Sequence, residues 1–521
     1  MSSERASASS TSVQAGAGRP VVPSGDATTP ARLSANYQFG SPIPPLLYEI
    51  SREGRRGVRL PECDVPRTAL PDGLIRDEDD DPLPLPEVTE QDVVRHYTRL
   101  SHANMAIDTA FYPLGSCTMK YNPKVNEVVA SHPSFAEGHP LAREEDCQGS
   151  LAVMYRLQTM LAEIAGFTEV SLQPAAGAQG ELTGILMIRA YHESKGDTYR
   201  TKILVPDSAH GTNPATVTMA GYETVEVPSD DHGNVDLGAL RAACGDDVAG
   251  LMITNPNTVG LFEENIVEVI EAVHACGGLV YGDGANFNAI LGIVRPGDLG
   301  IDVMHFNLHK TFSTPHGGGG PGAGPVGANA RLAAFLPGPL VSRNGDGYCF
   351  RVPDRSIGRL KAFHGNFGML LRAYVYIIMH GAEGLRAISE NAVINANYLR
   401  KLTEHTFPAR YPRICMHEFV SAGNRYEGIS TMDIAKRLLD YGFHAPTVYF
   451  PLIVRDALMI EPTESENRET LEVFAAALDE IVREAQERPE LLHEAPLTTP
   501  RRRLDEVSAV RNLVLRYERD A

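Results

Sequence analysis

One lysine lies in a polar run directly before a glycine tract. Lys310 belongs to the segment Asn307–Phe312, and residues 317–324 read Gly-Gly-Gly-Gly-Pro-Gly-Ala-Gly. Because glycine and proline break helices, this stretch predicts a loop whose backbone packs close to a ligand. A lysine that acts as a Schiff-base nucleophile needs such a defined position. Taken alone, Lys310 is equally compatible with a surface lysine beside a flexible linker.

Three more polar segments could contact the same ligand. The small residues of Ala175–Glu181 precede a predicted helix, and exposed N–H groups at a helix start bind phosphate. His210, within Asp207–Asn213, could lie flat on an aromatic cofactor. Asp283, within Gly282–Asn286, could pair with a protonated pyridine nitrogen. The bland alternatives are a tight turn, a helix-capping cluster and an Asp-Gly turn, respectively.

The order of these features is more specific than any one of them. A phosphate cradle, a stacking histidine, a pyridine-pairing aspartate and a lysine are the groups that pyridoxal phosphate requires. They follow each other as in the large domain of fold type I enzymes, which use this cofactor. The sequence therefore predicts a pyridoxal-phosphate site.

Strands and helices alternate through the central part of the chain. Apolar patterning predicts strands at Thr201–Val205, Thr224–Val227, Val248–Thr254, Gly278–Tyr281 and near Val303. It predicts helices at Leu151–Ala165, Glu181–Ser194, Asp236–Ala243 and Glu264–Ala275. Such alternation indicates an α/β fold with a mostly parallel sheet covered on both faces, with ligands beyond the carboxyl ends of its strands.

The composition suggests four regions. Residues 1–45 are rich in Ser, Ala, Gly, Pro and Thr and predict a disordered tail. Residues 46–150 predict an extended arm and a helical segment, with an acidic run at Asp77–Asp81 that is either part of the arm or a solvated loop. Residues 151–370 predict the large cofactor-binding domain, and 371–521 a smaller α+β domain.

Overall composition excludes several classes of protein. The chain has 521 residues, 43% of them hydrophobic, and a formal net charge of −19, which argues against nucleic acid as a partner. It contains no apolar run long enough for a membrane span. Its seven cysteines show no CxxC spacing, so we expect reduced thiols, a cytoplasmic location and no metal motif.

Longer runs carry a resemblance to a known family. They are Tyr112–Lys120, Gln173–Glu181, His210–Ala215, Thr254–Thr258, Tyr281–Asn286, Asn307–Gly324, Glu461–Ser465 and Arg502–Val507. In these runs the chain resembles the glycine cleavage system P-protein, glycine dehydrogenase (decarboxylating), and specifically its second, pyridoxal-bearing subunit. The resemblance spans about residues 45–520 and excludes the N-terminal tail.

The resemblance implies a reaction and a set of site residues. Lys310 would hold pyridoxal phosphate as an aldimine, glycine would lose carbon dioxide, and the aminomethyl group would pass to the lipoyl arm of the H-protein. The implied cofactor contacts are Asp283 at the pyridine nitrogen, His210 on the ring, Ala176, Gly177 and Ala178 at the phosphate, and Thr258. His309 is a proton-handling candidate that could equally be structural. Tyr112, Ser116 and Thr118 are candidates for substrate or lipoyl contact.

The family also implies a partner, and two other functions stay open. The split form of the family pairs subunit 2 with subunit 1, so we expect a heterotetramer with two copies of each chain. One alternative is another fold type I enzyme, such as an amino-acid decarboxylase or a cysteine desulfurase. The desulfurase would need Cys349 or Cys415 as its reactive thiol. The other alternative is a non-catalytic partner subunit, which an intact Lys310 argues against.

Overall fold

The computed structural model describes residues 43–66, 68, 85–316, 322–423 and 426–517. Of the expected N-terminal tail, the structure describes residues 43–45. The acidic run at 77–81 and residues 317–321 of the glycine tract lie outside the described residues. The chain divides into two compact units, residues 1–100 and 101–521. The expected domain boundaries near 150 and 370 stay a prediction.

The described part of the first unit is mostly extended chain. It contains helix α1 (Leu47–Ile50) and most of α2 (Glu90–His102). The backbone N–H of Arg52 donates to the carbonyl of Glu87, and Arg55 forms an ion pair of 3.1 Å with Asp92. These contacts join the segment after α1 to the start of α2.

The second unit contains the remaining elements. Its helices are α3 (Lys124–Ala130), α4 (Pro133–Ala136), α5 (Gln148–Ala165), α6 (Gly177–Lys195), α7 (Thr212–Met219), α8 (Leu237–Ala243), α9 (Ile266–Ala275), α10 (Phe367–Thr403), α11 (Thr431–Asp440), α12 (Arg468–Glu487), α13 (Glu490–Glu494) and α14 (Glu506–Arg511). Its strands are β1 (Glu169–Ser171), β2 (Lys202–Pro206), β3 (Glu223–Val227), β4 (Val248–Thr254), β5 (Leu279–Asp283), β6 (Val303–His305), β7 (Val326–Ala328), β8 (Leu340–Asn344), β9 (Gly347–Arg351), β10 (Phe419–Ala422), β11 (Thr447–Val448) and β12 (Ala457–Ile460). Short 3-10 helices lie at Glu144–Asp146, Gly284–Ala289, Pro296–Leu299 and Ala333–Phe335.

The main sheet has seven strands in the order β1-β7-β6-β5-β4-β2-β3. Strands β2 to β6 run parallel, whereas β7 pairs antiparallel with both β1 and β6. The predicted mostly parallel sheet is confirmed, and its five predicted strands appear within two residues of their expected ends. The sequence analysis missed the three-residue strands β1 and β7 and the helix α7.

Helices cover both faces of this sheet. Along β5, the fully buried Leu279 and Tyr281 join a cluster with Ile185 and Ile188 of α6, whereas Val280 joins the opposite cluster with Val269 of α9. Successive side chains of a strand point to opposite faces, and a strand buried on both faces is continuously apolar. The run Val248–Thr254 has this character, which explains why its bounds could be predicted exactly from sequence.

A smaller sheet lies nearer the C-terminus. Its strands, in the order β10-β12-β11, are all antiparallel, and α11 and α12 contribute Ile434, Leu471 and Leu478 to its core. Leu114 makes an isolated antiparallel bridge with Ile460 at the end of β12. The run that begins at Tyr112 is therefore held against the strand that leads into Glu461.

Glycine ends the two long helices that flank the main sheet. Gly166 after α5 (φ 78°) and Gly196 after α6 (φ 83°) adopt the left-handed conformation, which costs glycine no Cβ clash. A Cβ on Gly166 would also lie 2.9 Å from the Asp298 carboxylate. Within the described ranges, no helix has the length and apolarity needed to cross a membrane.

Candidate active site

A cleft of about 200 Å³ lies beyond the carboxyl ends of the parallel strands. Eight of the predicted site residues line it: Ser116, Gly177, Ala178, His210, Thr258, Asp283, His309 and Lys310. Five of these residues lie at the end of β5 or in the loops after β2, β4 and β6, which is where open α/β sheets bind ligands. Ala176, Tyr112 and Thr118 are not among its lining residues.

The small-residue segment forms the first turn of α6. Ala176 is the N-cap, with extended φ and ψ of −160° and 177°, and Gly177 and Ala178 open the helix. N–H groups in a first helical turn have no partner within the helix and carry partial positive charge. A Cβ on Gly177 would lie 2.6 Å from the amide oxygen of Asn307, so glycine is needed for this close packing.

Asp283 ends β5 and is only 6% exposed. Its carboxylate accepts hydrogen bonds from the Ala285 backbone N–H (2.9 Å) and the Asn213 side chain (3.4 Å). The Nε2 atom of His305 lies 3.6 Å away. Burial lowers the pKa of His305, while the Asp283 charge opposes that effect. The carboxylate is thus fixed by three neighbours, with the cleft on its remaining side.

His305 itself belongs to a buried chain of polar groups. Its Nδ1 lies 2.5 Å from the Tyr281 hydroxyl, and its Nε2 lies 2.8 Å from the amide nitrogen of Asn307. Burial raises the pKa of Tyr281 well above its usual value. This chain fixes the orientation of the imidazole next to Asp283, and the sequence analysis assigned no role to it.

His210 is exposed at the cleft and precedes α7. Its Nδ1 accepts a hydrogen bond from the Thr212 backbone N–H (3.2 Å) and lies 2.9 Å from the Thr212 hydroxyl. Its pKa is lowered, first because nearby protein removes hydration and then because Lys310 is positive. His210 therefore bonds to the first residue of α7 through Nδ1 and still has a ring available to a ligand.

Lys310 is half-buried, and its Nζ donates a 2.8 Å hydrogen bond to the carbonyl of Ser116. The fully buried Leu308 and Phe312 hold the lysine loop on either side. Ser116 adopts a positive φ of 61°, and its own N–H donates to the Glu418 carboxylate at 2.6 Å. The lysine is therefore positioned through a loop that is distant in sequence.

Two histidines beside Lys310 are neutral. Burial, reinforced by His316 and Lys310, lowers the pKa of His309 to about 3. Burial and Lys310 lower the pKa of His316 to about 4. Their rings are 5.3 Å apart, and His316 Nε2 lies 3.5 Å from the Cys117 sulfur. Near neutral pH these imidazoles can accept protons only if the lysine charge or the burial changes.

The remaining predicted residues are placed differently. Thr258 is buried at the cleft, and its hydroxyl donates to the Ser208 carbonyl. Tyr112 stacks on His444 with ring centroids 3.6 Å apart, and burial raises its pKa. Thr118 is buried, and its hydroxyl has no hydrogen-bond partner. The roles expected for these three residues stay predictions.

One further ionisable group lines the cleft. Glu181 is 5% exposed, and burial together with the Asp283 charge raises its pKa to about 7, against hydrogen bonds from Thr212 (2.9 Å) and Thr216. From the sequence, Glu181 was recognised only as the last residue of the small-residue segment Ala175–Glu181. A carboxyl group one turn into α6 was the signal that could have identified it.

The fold and this cleft together define a class of enzyme. The structure is similar to the crystal structure of glycine decarboxylase (P-protein) of the glycine cleavage system in inhibitor-bound form, with a TM-score of 0.67 and 23% identity over 79% of this chain and 93% of that chain. It is also similar to the apo structure of cysteine desulfurase from Thermococcus onnurineus NA1, with a TM-score of 0.57 and 16% identity over 72% and 95%. The fold is that of the fold type I pyridoxal-phosphate-dependent enzymes, as predicted.

Sequence comparison narrows the class to one family. Residues 388–495 match the family model for the glycine dehydrogenase C-terminal domain. The chain is 55% identical over 481 residues to the probable glycine dehydrogenase (decarboxylating) subunit 2 of Alkaliphilus oremlandii, covering 91% of this chain and 98% of the relative. It is 57% identical over 479 residues to the protein of the same name from Chlorobium chlorochromatii, covering 90% and 99%. The chain belongs to the glycine dehydrogenase (decarboxylating) subunit 2 family.

Proposed function

We propose that this chain is the catalytic half of a glycine-decarboxylating enzyme. It would release carbon dioxide from glycine and transfer the aminomethyl group to the lipoyl arm of an H-protein. The observation that carries the proposal is the position of Lys310. Its Nζ faces the cleft that Asp283 and His210 also line, in a chain 55% identical to relatives named for this activity.

The residues around the cleft fit pyridoxal phosphate. Asp283 would accept a hydrogen bond from the protonated pyridine nitrogen, and His210 would cover one face of the ring. The N–H groups at the start of α6, from Ala176 to Ala178, would hold the phosphate. Glycine is needed at 177, because a Cβ there would clash with the Asn307 side chain. Lys310 would form the covalent link. Thr258, whose proton is engaged by Ser208, could act only as an acceptor.

When bound, the cofactor would supply an electron sink for the pair left by the departing carboxylate. The protein's part is to hold and orient. Ser116 keeps the Lys310 ammonium at a fixed place through its carbonyl, 2.8 Å from Nζ. His309 and His316 are neutral and flank the lysine, so they add no positive charge that would compete for the substrate carboxylate. Tyr112, Ser116 and Thr118 are the proposed contacts for glycine or the lipoyl arm.

We also propose that the chain works in an assembly. The relatives are named subunit 2, which supports a partner subunit. The proposed assembly is a heterotetramer with two copies each of subunit 1 and subunit 2. Lipoylated H-protein would be the acceptor, and a cytoplasmic location would place all components together. Light scattering of an equimolar mixture with subunit 1 tests the stoichiometry.

The desulfurase alternative has little support from the two late cysteines. Cys415 is 2% exposed, and burial raises its pKa to about 12, so the reactive thiolate is scarce near neutral pH. Cys349 lies within β9, a regular strand of a two-stranded sheet. Neither position resembles a reactive cysteine on an exposed loop.

Glycine-dependent exchange of labelled bicarbonate into the glycine carboxyl group tests the proposed activity. The assay combines this chain, subunit 1 and lipoylated H-protein. We expect exchange that needs all three, and we expect Lys310→Ala to reduce it at least 10³-fold, because the covalent cofactor link is lost. Lys401→Ala is the matched control, since Lys401 is 74% exposed and pairs only with Glu404.

The visible absorbance of the bound cofactor separates two kinds of failure. Exchange that is absent while the wild-type chain still binds pyridoxal phosphate through Lys310 would contradict the glycine assignment only. A chain that binds no pyridoxal phosphate would overturn the cofactor assignment as well.

A further inference from the structure

Three potential metal ligands meet next to the lysine loop. His417 and Glu418 directly precede β10, and Glu461 directly follows β12. One ligand atom from each lies within 4.8 Å of the other two, and all three side chains are 0% exposed. We call these three residues the His-Glu-Glu cluster. It is separate from the groups assigned above to the cofactor.

Most polar atoms of the His-Glu-Glu cluster have no partner. Both ring nitrogens of His417 and both carboxylate oxygens of Glu461 are buried without a partner in hydrogen-bonding geometry. The Glu418 carboxylate accepts one hydrogen bond on each oxygen, from the Ser116 N–H (2.6 Å) and from the Asn286 amide (3.3 Å). A buried polar atom without a partner costs about 1–3 kcal/mol, more when charged, so four together indicate a missing ligand.

The separations identify the kind of ligand. His417 Nε2 lies 4.0 Å from the nearest Glu418 oxygen and 3.9 Å from the nearest Glu461 oxygen. Hydrogen-bonded imidazole and carboxylate would be roughly 2.7–2.9 Å apart. Two ligands on one ion with bonds of about 2.0–2.2 Å are instead about 3–4 Å apart. The spacing therefore suits a shared cation better than a shared proton.

The chemistry of the three side chains is also that of a cation site. Neither ring nitrogen of the buried His417 has a hydrogen-bond partner, so the imidazole has a lone pair available for an ion. Imidazole and carboxylate together suit borderline first-row divalent ions, whereas Ca²⁺ and Mg²⁺ prefer oxygen alone. Two carboxylates would balance the charge of one divalent ion. In the charge-poor interior, such an ion would offset the cost of burying both carboxylates.

We propose that His417, Glu418 and Glu461 bind one first-row divalent cation, of the Zn²⁺ or Mn²⁺ class, inside the fold. The site positions the lysine loop and does not itself react. Glu418 holds the Ser116 N–H, and the Ser116 carbonyl holds Lys310 Nζ, so the ion would fix Ser116 through Glu418. No sequence spacing reveals the site, because its ligands come from two strands that meet only after folding. The expectation of no metal motif rested on the spacing of cysteines along the sequence, which does not report on ligands brought together by folding.

Metal analysis of the full chain tests this proposal directly. The chain is purified without a polyhistidine tag, its metal content is measured by mass spectrometry, and the measurement is repeated after chelation and reloading with ZnCl₂ or MnCl₂. We expect about one equivalent per chain after reloading, and a melting temperature that falls on chelation and recovers on reloading, since the site forms only in the folded state. Less than a tenth of an equivalent, with no change in melting temperature, would overturn it.

Isosteric variants test the ligands. His417→Gln and Glu461→Gln should each weaken Mn²⁺ binding, followed by electron paramagnetic resonance, at least 10-fold. His274→Gln is the matched control, because His274 lies 2.8 Å from Asp302 in an ordinary hydrogen-bonded pair. Unchanged affinity in both cluster variants, or an equal loss in the control, contradicts the assignment.

A measurement on the unsubstituted chain covers the case in which the variants fail to fold. Protein labelled with ¹⁵N-histidine and reloaded with one equivalent of Cu²⁺ should show nitrogen splitting from a single imidazole in its resonance spectrum. Splitting from no imidazole, or from two or more, would mean that the ion is not bound through one histidine and would contradict the assignment. All these readouts are independent of glycine turnover, so the site can fail without affecting the proposed function.

Discussion

Two buried ionic groups share the segment that follows β12, yet they differ in completeness. The first, which we call the Lys120 clamp, joins Lys120 to Glu464 at 2.8 Å, and both side chains also reach Asn288. Lys120 Nζ donates further to the Thr311 carbonyl (2.7 Å) and contacts the Tyr376 hydroxyl (3.1 Å). The second is the His-Glu-Glu cluster, whose Glu461 lies three positions before Glu464.

The contrast separates what the chain satisfies by itself from what it leaves for a ligand. Burial acts to lower the pKa of Lys120, but Glu464 and Tyr376 together raise it, so the clamp keeps its own positive charge. Burial and the neighbouring Glu418 raise the pKa of Glu461 well above its usual value, and they outweigh the opposing effects of the Thr118 hydroxyl and the Lys310 charge. The Lys120 clamp stabilises the fold by itself, whereas the His-Glu-Glu cluster leaves ligand atoms available to the proposed cation.

The largest expected effect comes from breaking the clamp. Lys120→Met leaves Glu464 buried without its cation, which typically costs about 3–5 kcal/mol of unfolding free energy. Chemical denaturation followed by circular dichroism measures the change. In the control Lys124→Met, the partner Asp108 is 50% exposed, and such surface pairs contribute about 0–1 kcal/mol. Equal losses in the two variants would remove the distinction between a clamp and a surface ion pair.

A second prediction concerns Glu181, which is intermediate between the two groups: it has hydroxyl partners but no bonded cation. In the folded, cofactor-free chain burial raises its pKa to about 7, from an ordinary value of 4.5. Between these values the folded carboxyl retains a proton that the unfolded one has released, so stability falls as pH rises from about 4.5 to about 7 and then levels. The loss should be roughly 3 kcal/mol.

Glu181→Gln should remove this part of the pH dependence. Unfolding free energies at several pH values, compared with wild type and with the exposed variant Glu271→Gln, measure it. A pH profile that stays unchanged in Glu181→Gln would show that this carboxyl is not the group that retains the proton.

A milder loosening of the clamp should have a smaller effect. Tyr376→Phe keeps the ring, which lies 5.1 Å from Lys120 Nζ, and removes only the hydroxyl. One lost hydrogen bond to a charged group predicts a decrease of about 1.5–3 kcal/mol in unfolding free energy. A loss as large as that of Lys120→Met would mean that the hydroxyl, rather than Glu464, dominates the clamp.

The smallest effect is expected in the cluster itself. In chelated, cofactor-free protein near neutral pH, Glu461→Gln should change the unfolding free energy by less than about 1 kcal/mol, because the amide oxygen of glutamine can still accept from the Thr118 hydroxyl. The glutamine also imitates the protonated acid that the raised pKa favours. Denaturation in the presence of a chelator measures this. A loss of 3 kcal/mol would show that Glu461 has a bonded cation within the chain.

Local sequence patterns predicted the strands that are buried on both faces and the polar residues that follow them. Asp283 and His210 follow continuous apolar runs, so their place at the edge of the sheet could be inferred, and the structure brings both to one cleft with Lys310. Strand β7 was missed because three residues, one of them glycine, give too little pattern.

Groups that depend on long-range packing could not be predicted in the same way. Lys120 is the last residue of the run that begins at Tyr112. In that run the sequence predicted contacts for Tyr112, Ser116 and Thr118 and no role for Lys120. Its partner Glu464 is more than 300 positions later, and nothing local distinguishes this lysine from an exposed one. His417 and Glu418 directly precede the short strand β10, and nothing in the local pattern predicts that both side chains are fully buried.

The order of strands in the main sheet has a consequence for how the chain is made. Strand β1 is bonded to the sheet only through β7, although α5 and the five parallel strands precede β7 in the chain. During synthesis, β1 must therefore wait without a strand partner until residues 326–328 leave the ribosome. The five parallel strands can assemble earlier, because each new strand finds a neighbour already present. We expect the β1 edge to close last and to be the part of the nascent sheet that depends most on protection by chaperones.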